Sequence, residues 1–86
     1  MSDPHIICGV HVTDRVKKAG MVQQIFTQFG SCIRTRLGLH DVHERYSSPS
    51  GMIVLELVGA PAMIRKLERK LKSVRGLQVK KIEFGH

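Results

Sequence analysis

The chain has 86 residues, 42% of them hydrophobic, which matches one domain with a single core and gives no sign of disorder. Its formal net charge of +7 favours acidic partners over cationic ones. No segment approaches the roughly 18 consecutive apolar residues that a membrane span needs, so no membrane partner is expected. The amino terminus does not read as a signal peptide, and the sequence therefore predicts a cytoplasmic protein.

A buried strand and an amphipathic helix are predicted first. Residues 5–12, HIICGVHV, form a short β-branched run in which Ile6 and every second residue after it would face one way. Thr13 and Asp14 are typical helix-capping residues. Apolar residues then recur at three- and four-residue spacing, and they predict a helix that ends at Gly30. The predicted buried stripe consists of Val16, Ala19, Val22, Ile25, Phe26 and Phe29.

Two further strands form a predicted hairpin. Residues 32–39, CIRTRLGL, and residues 52–58, MIVLELV, both alternate, and antiparallel neighbours need only a short connection. The segment between them, GLHDVHERYSSPSG, is predicted to be a polar loop. In the first of these strands the predicted core face carries Ile33, Thr35 and Leu37, and the opposite face carries Arg34 and Arg36.

The last part of the chain predicts a helix and an edge strand. Pro61 suits the first turn of a helix that Gly76 ends, with a buried stripe from Ile64 to Val74. In residues 77–84 the alternation slips at Lys80 and Lys81, which predicts a bulge or a frayed edge. The element order predicts an α+β, ferredoxin-like βαββαβ sandwich over residues 1–86. This fold is a four-stranded antiparallel sheet with two helices on one face.

The sheet face opposite the helices is predicted to be an association surface. An apolar band on an uncovered sheet marks such a surface, and glycine at position 9 would let another backbone approach closely. The alternative is a mixed face that meets only solvent. The predicted association residues are Ile7, Gly9, Arg34, Arg36, Met52, Val54 and Glu56.

Two histidines in the hairpin loop form the candidate metal site. His40 and His43 would bind a transition metal with Asp41 or Glu44 as a third ligand. A structural or catalytic zinc needs three or four rigidly held ligands. The Ser- and Pro-rich surroundings favour the alternative, a polar hairpin tip, and a site shared between subunits stays open.

Enzymatic chemistry is not expected. The sequence contains no Gly-rich phosphate loop and no nucleophile motif. It also contains no asparagine, which the acylphosphatase version of this fold requires. Cys8 and Cys32 are predicted to be buried free thiols. The expected protein is therefore not an enzyme and has no cofactor.

Four segments carry a family resemblance that spans residues 5–84. They are VTDR (12–15), IRTRLGL (33–39), GMIVLELVG (51–59) and VRGLQVKKIEF (74–84). With these segments the chain resembles the ACT-like regulatory domains. More closely, it resembles the iron-only hydrogenase system regulator family, which is related to the ligand-binding half of the nickel-responsive repressor.

The resemblance implies a regulatory or sensing subunit that assembles through its sheets into a dimer or tetramer. It also implies an effector site at the turn after the first strand, at Thr13, Asp14 and Arg15, although helix capping is a competing role for the first two. The His-x-His pair and later cysteine of the nickel-sensing relatives are absent. The sequence also predicts no ribbon-helix-helix segment ahead of the first strand. The resemblance therefore supports neither nickel sensing nor direct DNA reading.

Two functional hypotheses follow from the sequence, beside the further alternative of a metal-binding sensor that uses His40 and His43. The first is a small regulatory domain that binds a small effector or a protein partner at an inter-subunit surface. The second is a basic module that contacts the phosphate backbone of nucleic acid through the second helix. Base stacking is not expected, because Tyr46 is the only tyrosine and tryptophan is absent. The basic residues of that helix are Arg65, Lys66, Arg69, Lys70 and Lys72.

Overall fold

The computed structural model describes residues 5–13, 15–39 and 51–85. Its elements are β1 (His5–Val12), α1 (Arg15–Gln28), a short 3₁₀ helix (Gly30–Cys32), β2 (Ile33–Leu39), β3 (Gly51–Leu57), α2 (Pro61–Lys72) and β4 (Leu77–Phe84). The strands form one antiparallel sheet in the order β2-β3-β1-β4. The predicted ferredoxin-like α+β fold is thus confirmed. Within the described residues, no helix is both long and apolar enough to cross a membrane.

The core lies between the sheet and the two helices. The central strand β1 alternates strictly, and Ile6, Cys8, Val10 and Val12 are buried on its helix side. Leucines of β3 and α2, among them Leu55 and Leu67, are completely buried in the same cluster. Truncating such a leucine to alanine typically costs about 2–5 kcal/mol of stability.

Helix α1 is shorter than predicted, and its buried stripe is narrower. Ala19 was predicted to be buried but is exposed, because it lies about 70° around the helix from the centre of the buried stripe. The helix ends at Gln28, and Gly30 opens the 3₁₀ helix instead of closing α1. The amide of Cys32 donates a hydrogen bond to the Phe29 carbonyl at 2.9 Å, which holds this turn.

A bulge in β2 reverses the predicted faces of that strand. Ile33 pairs with Leu57, but Thr35 pairs with Glu56, so the register shifts between positions 33 and 35. Paired residues share a face of the sheet. Thr35 and Leu37 therefore face away from the helices, and the prediction that they face the core is wrong. Arg36 pairs with Leu55 on the helix side, so its predicted place on the opposite face is also wrong.

Strand β4 pairs with β1 without interruption, from Val12 with Leu77 to His5 with Phe84. The predicted bulge or frayed edge at Lys80 and Lys81 is therefore wrong. What changes along β4 is the face that carries the apolar side chains. Leu77 and Val79 point to the core, whereas Ile82 and Phe84 lie on the uncovered side.

Candidate functional site

The sheet surface opposite the helices, called the open face here, carries side chains from all four strands. β1 contributes alternate residues from His5 to His11, and the pairing register fixes which neighbours share this side. The open face consists of His5, Ile7, Gly9, His11, Thr35, Leu37, Met52, Val54, Glu56, Gln78, Lys80, Ile82 and Phe84.

Three large apolar side chains of the open face are more than half exposed. Their exposed fractions are 55% for Leu37, 58% for Ile82 and 51% for Phe84. Ile82 stands beside Ile7, and Leu37 stands beside Val54, so the apolar surface continues across the sheet. Contiguous exposed apolar surface is more typical of contact surfaces than of solvent-facing ones.

A hydrogen-bonded carboxylate lies among these apolar groups. The Oε2 atom of Glu56 is 2.7 Å from Nε2 of His5, and the Thr35 hydroxyl donates to Oε1 at 2.8 Å. The Thr35 and His5 hydrogen bonds, together with the nearby charge of Arg34, lower the pKa of Glu56. Both carboxylate oxygens are thus engaged within the sheet.

The structure brings most of the predicted association residues together. Ile7, Gly9, Met52, Val54 and Glu56 share the open face as predicted. Arg34 lies at the bulge near Glu56, and Arg36 lies on the other side of the sheet.

The sequence reasoning missed Leu37, Ile82, Phe84 and His5 on this face. For β4 a signal was available. Ile82 and Phe84 alternate with the charged Lys81 and Glu83, which indicates an outward apolar face.

A hollow of about 200 Å³ lies on the open face above Gly9. Its lining comes from three neighbouring strands and consists of Gly9, His11, Met52, Gln78 and Lys80. A Cβ atom at Gly9 would lie 3.9 Å from the Lys80 carbonyl oxygen and 4.0 Å from the Met52 sulfur. These are ordinary van der Waals contacts, so a Cβ atom would fit at this position. Packing within the subunit therefore does not require the glycine.

The predicted effector turn is joined to the start of β4. The Thr13 amide donates a hydrogen bond to the Gly76 carbonyl at 2.9 Å, and Gly76 has a φ of +91°. The Thr13 side chain is exposed, and Arg15 begins α1. Asp14 lies outside the described residues, and the effector role of all three stays a prediction.

The metal prediction concerns a segment that the structure does not describe. His40 and His43 both lie outside the described residues. In the ranges that are described, no group of three or more His, Cys, Asp or Glu side chains could hold a metal ion. Metal binding by the loop stays a prediction.

Helix α2 presents the basic face that the sequence indicated. Lys72 contacts Glu68 at 2.8 Å, and Lys81 of β4 contacts the same carboxylate at 3.0 Å. For the other four cations of α2, no carboxylate of the described residues is within ion-pair distance. Two shallow clefts of about 340 and 290 Å³ flank Arg69, and Lys66 and Lys70 line the larger one.

The sequence matches none of the protein-family models and none of the curated proteins with which it was compared. Among solved structures it is similar to the uncharacterized protein TM1266 from Thermotoga maritima. The TM-score is 0.80 and the identity 26%, over 96% of this chain and 100% of that one.

Two more distant structures share the fold alone. One is CPII, a nitrogen regulatory PII-like protein from Thiomonas intermedia K12, with a TM-score of 0.59, 10% identity, and coverage of 98% of this chain and 93% of that one. The other is a formyltetrahydrofolate deformylase from Pseudomonas putida KT2440. Its TM-score is 0.55 at 10% identity, over 91% of this chain and 28% of that one. The class that these likenesses support is a protein of ferredoxin-like fold, which the PII-like protein shares.

Proposed function

We propose that the protein is a small self-associating regulatory domain that binds a small effector at the surface between its subunits, and that it is not an enzyme. The observation that carries this proposal is the open face, where Leu37, Ile82 and Phe84 are each more than half exposed. The PII-like protein that shares the fold was solved bound to ADP, AMP and bicarbonate, which supports a small effector. The resemblance to the iron-only hydrogenase system regulators supports a regulatory role.

Burial of apolar side chains supplies the main favourable term for pairing of two open faces. Completely burying a leucine, isoleucine or phenylalanine is worth about 1.5–3 kcal/mol. A two-fold contact would bury Leu37, Ile82 and Phe84 twice. Because each of the three is about half exposed, the six side chains would contribute about half of the full-burial value, on the order of 4–9 kcal/mol, against an association cost of about 4–15 kcal/mol. The hydrogen bonds from His5 and Thr35 to the Glu56 carboxylate reduce the cost of burying its charge in such a contact.

Light scattering at tens of micromolar protein tests the proposal. We expect the wild-type chain to form a dimer or a larger assembly, and Ile82→Lys to be a monomer. Met21→Lys is the matched control, because Met21 is also an exposed apolar residue but lies on α1. A monomeric wild type, or equal effects of the two substitutions, would contradict self-association through the open face.

Phosphate-backbone binding through α2 is the second candidate. The observation that favours it is a set of four cations that have no carboxylate of the described ranges within ion-pair distance. In this set Arg65 and Lys66 precede Arg69 and Lys70 by one helical turn of about 6 Å. Four phosphate contacts would give a salt slope of about −3.6 on a double-logarithmic plot of affinity for duplex DNA. Fluorescence anisotropy should show weaker binding by Arg69→Gln than by Lys80→Gln, an equal change of charge on the open face. No binding at low salt excludes this candidate.

A further inference from the structure

We propose that the hollow above Gly9 binds a small oxyanion, the carboxylate or phosphate group of a metabolite, and that this ligand is the effector. The inference deepens the proposed function and rests on it for the enclosure of the ligand by a second subunit. The proposed site differs from the turn at residues 13–15, where the family resemblance places an effector.

The shape of the hollow follows from the residue at its floor. Gly9 lies in the central strand, with Lys80 beside it on β4 and Val54 beside it on β3. Two residues further along β1, His11 pairs with Met52 of β3 and with Gln78 of β4. Every neighbour has a side chain and Gly9 has none, so the backbone forms the floor and the surrounding side chains form the wall.

The wall supplies hydrogen-bond donors and one uncompensated positive charge. Lys80 has an ammonium group that can only donate, Gln78 has an amide, and His11 has an imidazole. In the described ranges of the chain, no hydrogen bond or ion pair involves the side chain of any of these three residues. The carboxylate of the open face, Glu56, is held two residues further along β3 by His5 and Thr35. Among the described residues, a ligand oxyanion would therefore meet the Lys80 cation with no carboxylate of the open face free to compete for it.

The volume of the hollow and the Met52 side chain in its wall indicate what the ligand carries besides its oxyanion group. A volume of about 200 Å³ is smaller than the usual range for drug-sized ligands. It suits a metabolite of about ten non-hydrogen atoms or fewer. The Met52 thioether offers an apolar contact for a short carbon chain, because methionine adapts its shape to such a surface.

Association would change the strength of this site. In one subunit the hollow is open to water on the outer side of the sheet. A second open face placed over it would exclude water, and the attraction between Lys80 and an anion becomes stronger at lower dielectric. A ligand that binds the assembled form more tightly shifts the equilibrium toward assembly, so the effector would promote self-association.

Amide chemical shifts of labelled protein test the inference at each residue. The probes are glutamate, succinate and inorganic phosphate, with glutamine as a control for the side-chain charge. We expect at least one anion to shift the signals of Gly9, His11, Gln78 and Lys80 at millimolar concentration, and the preferred probe separates a carboxylate from a phosphate ligand. No shift in these signals with any anion would overturn the inference.

Two substitutions and one control show whether the hollow itself binds. Lys80→Gln should weaken binding about tenfold, because it removes a charged hydrogen-bond donor. Gly9→Ala should also weaken binding, because its methyl group occupies the floor without disturbing the fold. Lys70→Gln makes the same charge change on α2 and should leave binding unchanged. Equal weakening by Lys70→Gln would mean general charge attraction and would overturn the inference.

Light scattering on the same samples separates the two proposals. Local anion binding by a monomeric protein would support the hollow as a site and contradict self-association. An assembled protein whose hollow binds no anion would keep the proposed self-association and reject the hollow as the effector site.

Discussion

The guanidinium carbon of Arg36 lies 5.2 Å from the centre of the Phe26 ring. This cation of β2 therefore lies on the helix-covered face of the sheet. Phe26 is buried in α1, and the Arg36 stem therefore extends along the edge of the core. The contact joins the outer strand of the sheet to α1, at the position that follows the β2 bulge.

Arg36→Gln should lower the free energy of unfolding by about 0.5–1 kcal/mol, because it removes a cation above an aromatic ring and shortens a packed stem. Urea denaturation measures this change. Arg65→Gln is the control, since Arg65 is exposed on α2 and no ion pair involves it in the described part of the chain. Equal effects of the two substitutions would show that the ring contact contributes nothing.

The fold was predictable from the sequence because its periodicity is strong where the core is. Ile6 to Val12 alternate without exception, and Ile64, Leu67 and Leu71 repeat at helical spacing. These patterns give the element order, and the order leaves few topologies. The two helices and four strands were therefore predicted correctly in type and sequence.

The open face was predicted only in part, because pairing between strands decides it. One extra residue between Ile33 and Thr35 moves every later side chain of β2 to the other side of the sheet. No local feature of IRTRLGL indicates this bulge. In β4, charged Lys81 reaches Glu68 on the helix side, a partner 13 residues away that the alternation pattern cannot show.

The shared carboxylate of Glu68 should make stability depend on pH. The hydrogen bond from Lys72, followed by that from Lys81, lowers the pKa of Glu68 below its ordinary value of 4.5. A carboxyl with a lowered pKa stabilises the fold above its unfolded pKa, and this contribution is lost as the pH falls through the folded value. Glu68→Gln should therefore destabilise by about 1 kcal/mol near neutral pH and by less in acid.

Lys81 of the same cluster should make stability depend on pH in the opposite direction, with a loss at alkaline pH. Glu68 raises the pKa of Lys81 above its ordinary value of 10.5, so that contribution is present below 10.5 and is lost as the pH rises through the folded value. The thermal unfolding temperatures of wild type and Glu68→Gln should therefore differ most at pH values between the pKa of Glu68 and the pKa of Lys81. Glu83→Gln on β4 is the comparison and should give a smaller difference, because Glu83 raises the pKa of Lys81 through its charge alone, whereas Glu68 also accepts a hydrogen bond from it. If the stability difference between wild type and Glu68→Gln stays constant with pH, the role of the cluster is contradicted.

Two glycines should respond to alanine in opposite directions. Gly20 is exposed in the interior of α1, and outside the surrounding helix backbone no atom of the described residues lies within 4 Å of the place where its Cβ would be. Gly20→Ala should stabilise by about 1 kcal/mol, because alanine favours a helix interior. Gly76 has a φ of +91° and accepts the Thr13 hydrogen bond, so Gly76→Ala should destabilise. Urea denaturation of the two variants would reject this account if both changes have the same sign.

The Cys8 thiol should be unreactive in the folded protein. Burial, and then the nearby charge of Glu68, raises the pKa of Cys8 to about 11. At neutral pH only about one thiol in ten thousand would then be ionised, and the thiolate is the species that reacts. Cys32 is buried as well, so we expect neither cysteine to react with Ellman's reagent before unfolding in urea.

An exposed reference thiol makes this measurement decisive. In a variant with Cys32→Ala, the second substitution Ser31→Cys places a thiol on the exposed surface of the 3₁₀ helix. The new thiol is one residue from the buried cysteine that has been removed. This thiol should react at the rate of a small free thiol, while Cys8 in the same molecule should react only as fast as the fold opens. Two fast equivalents in the native state would show that Cys8 is accessible, and would contradict the dry core that β1 forms with the helices.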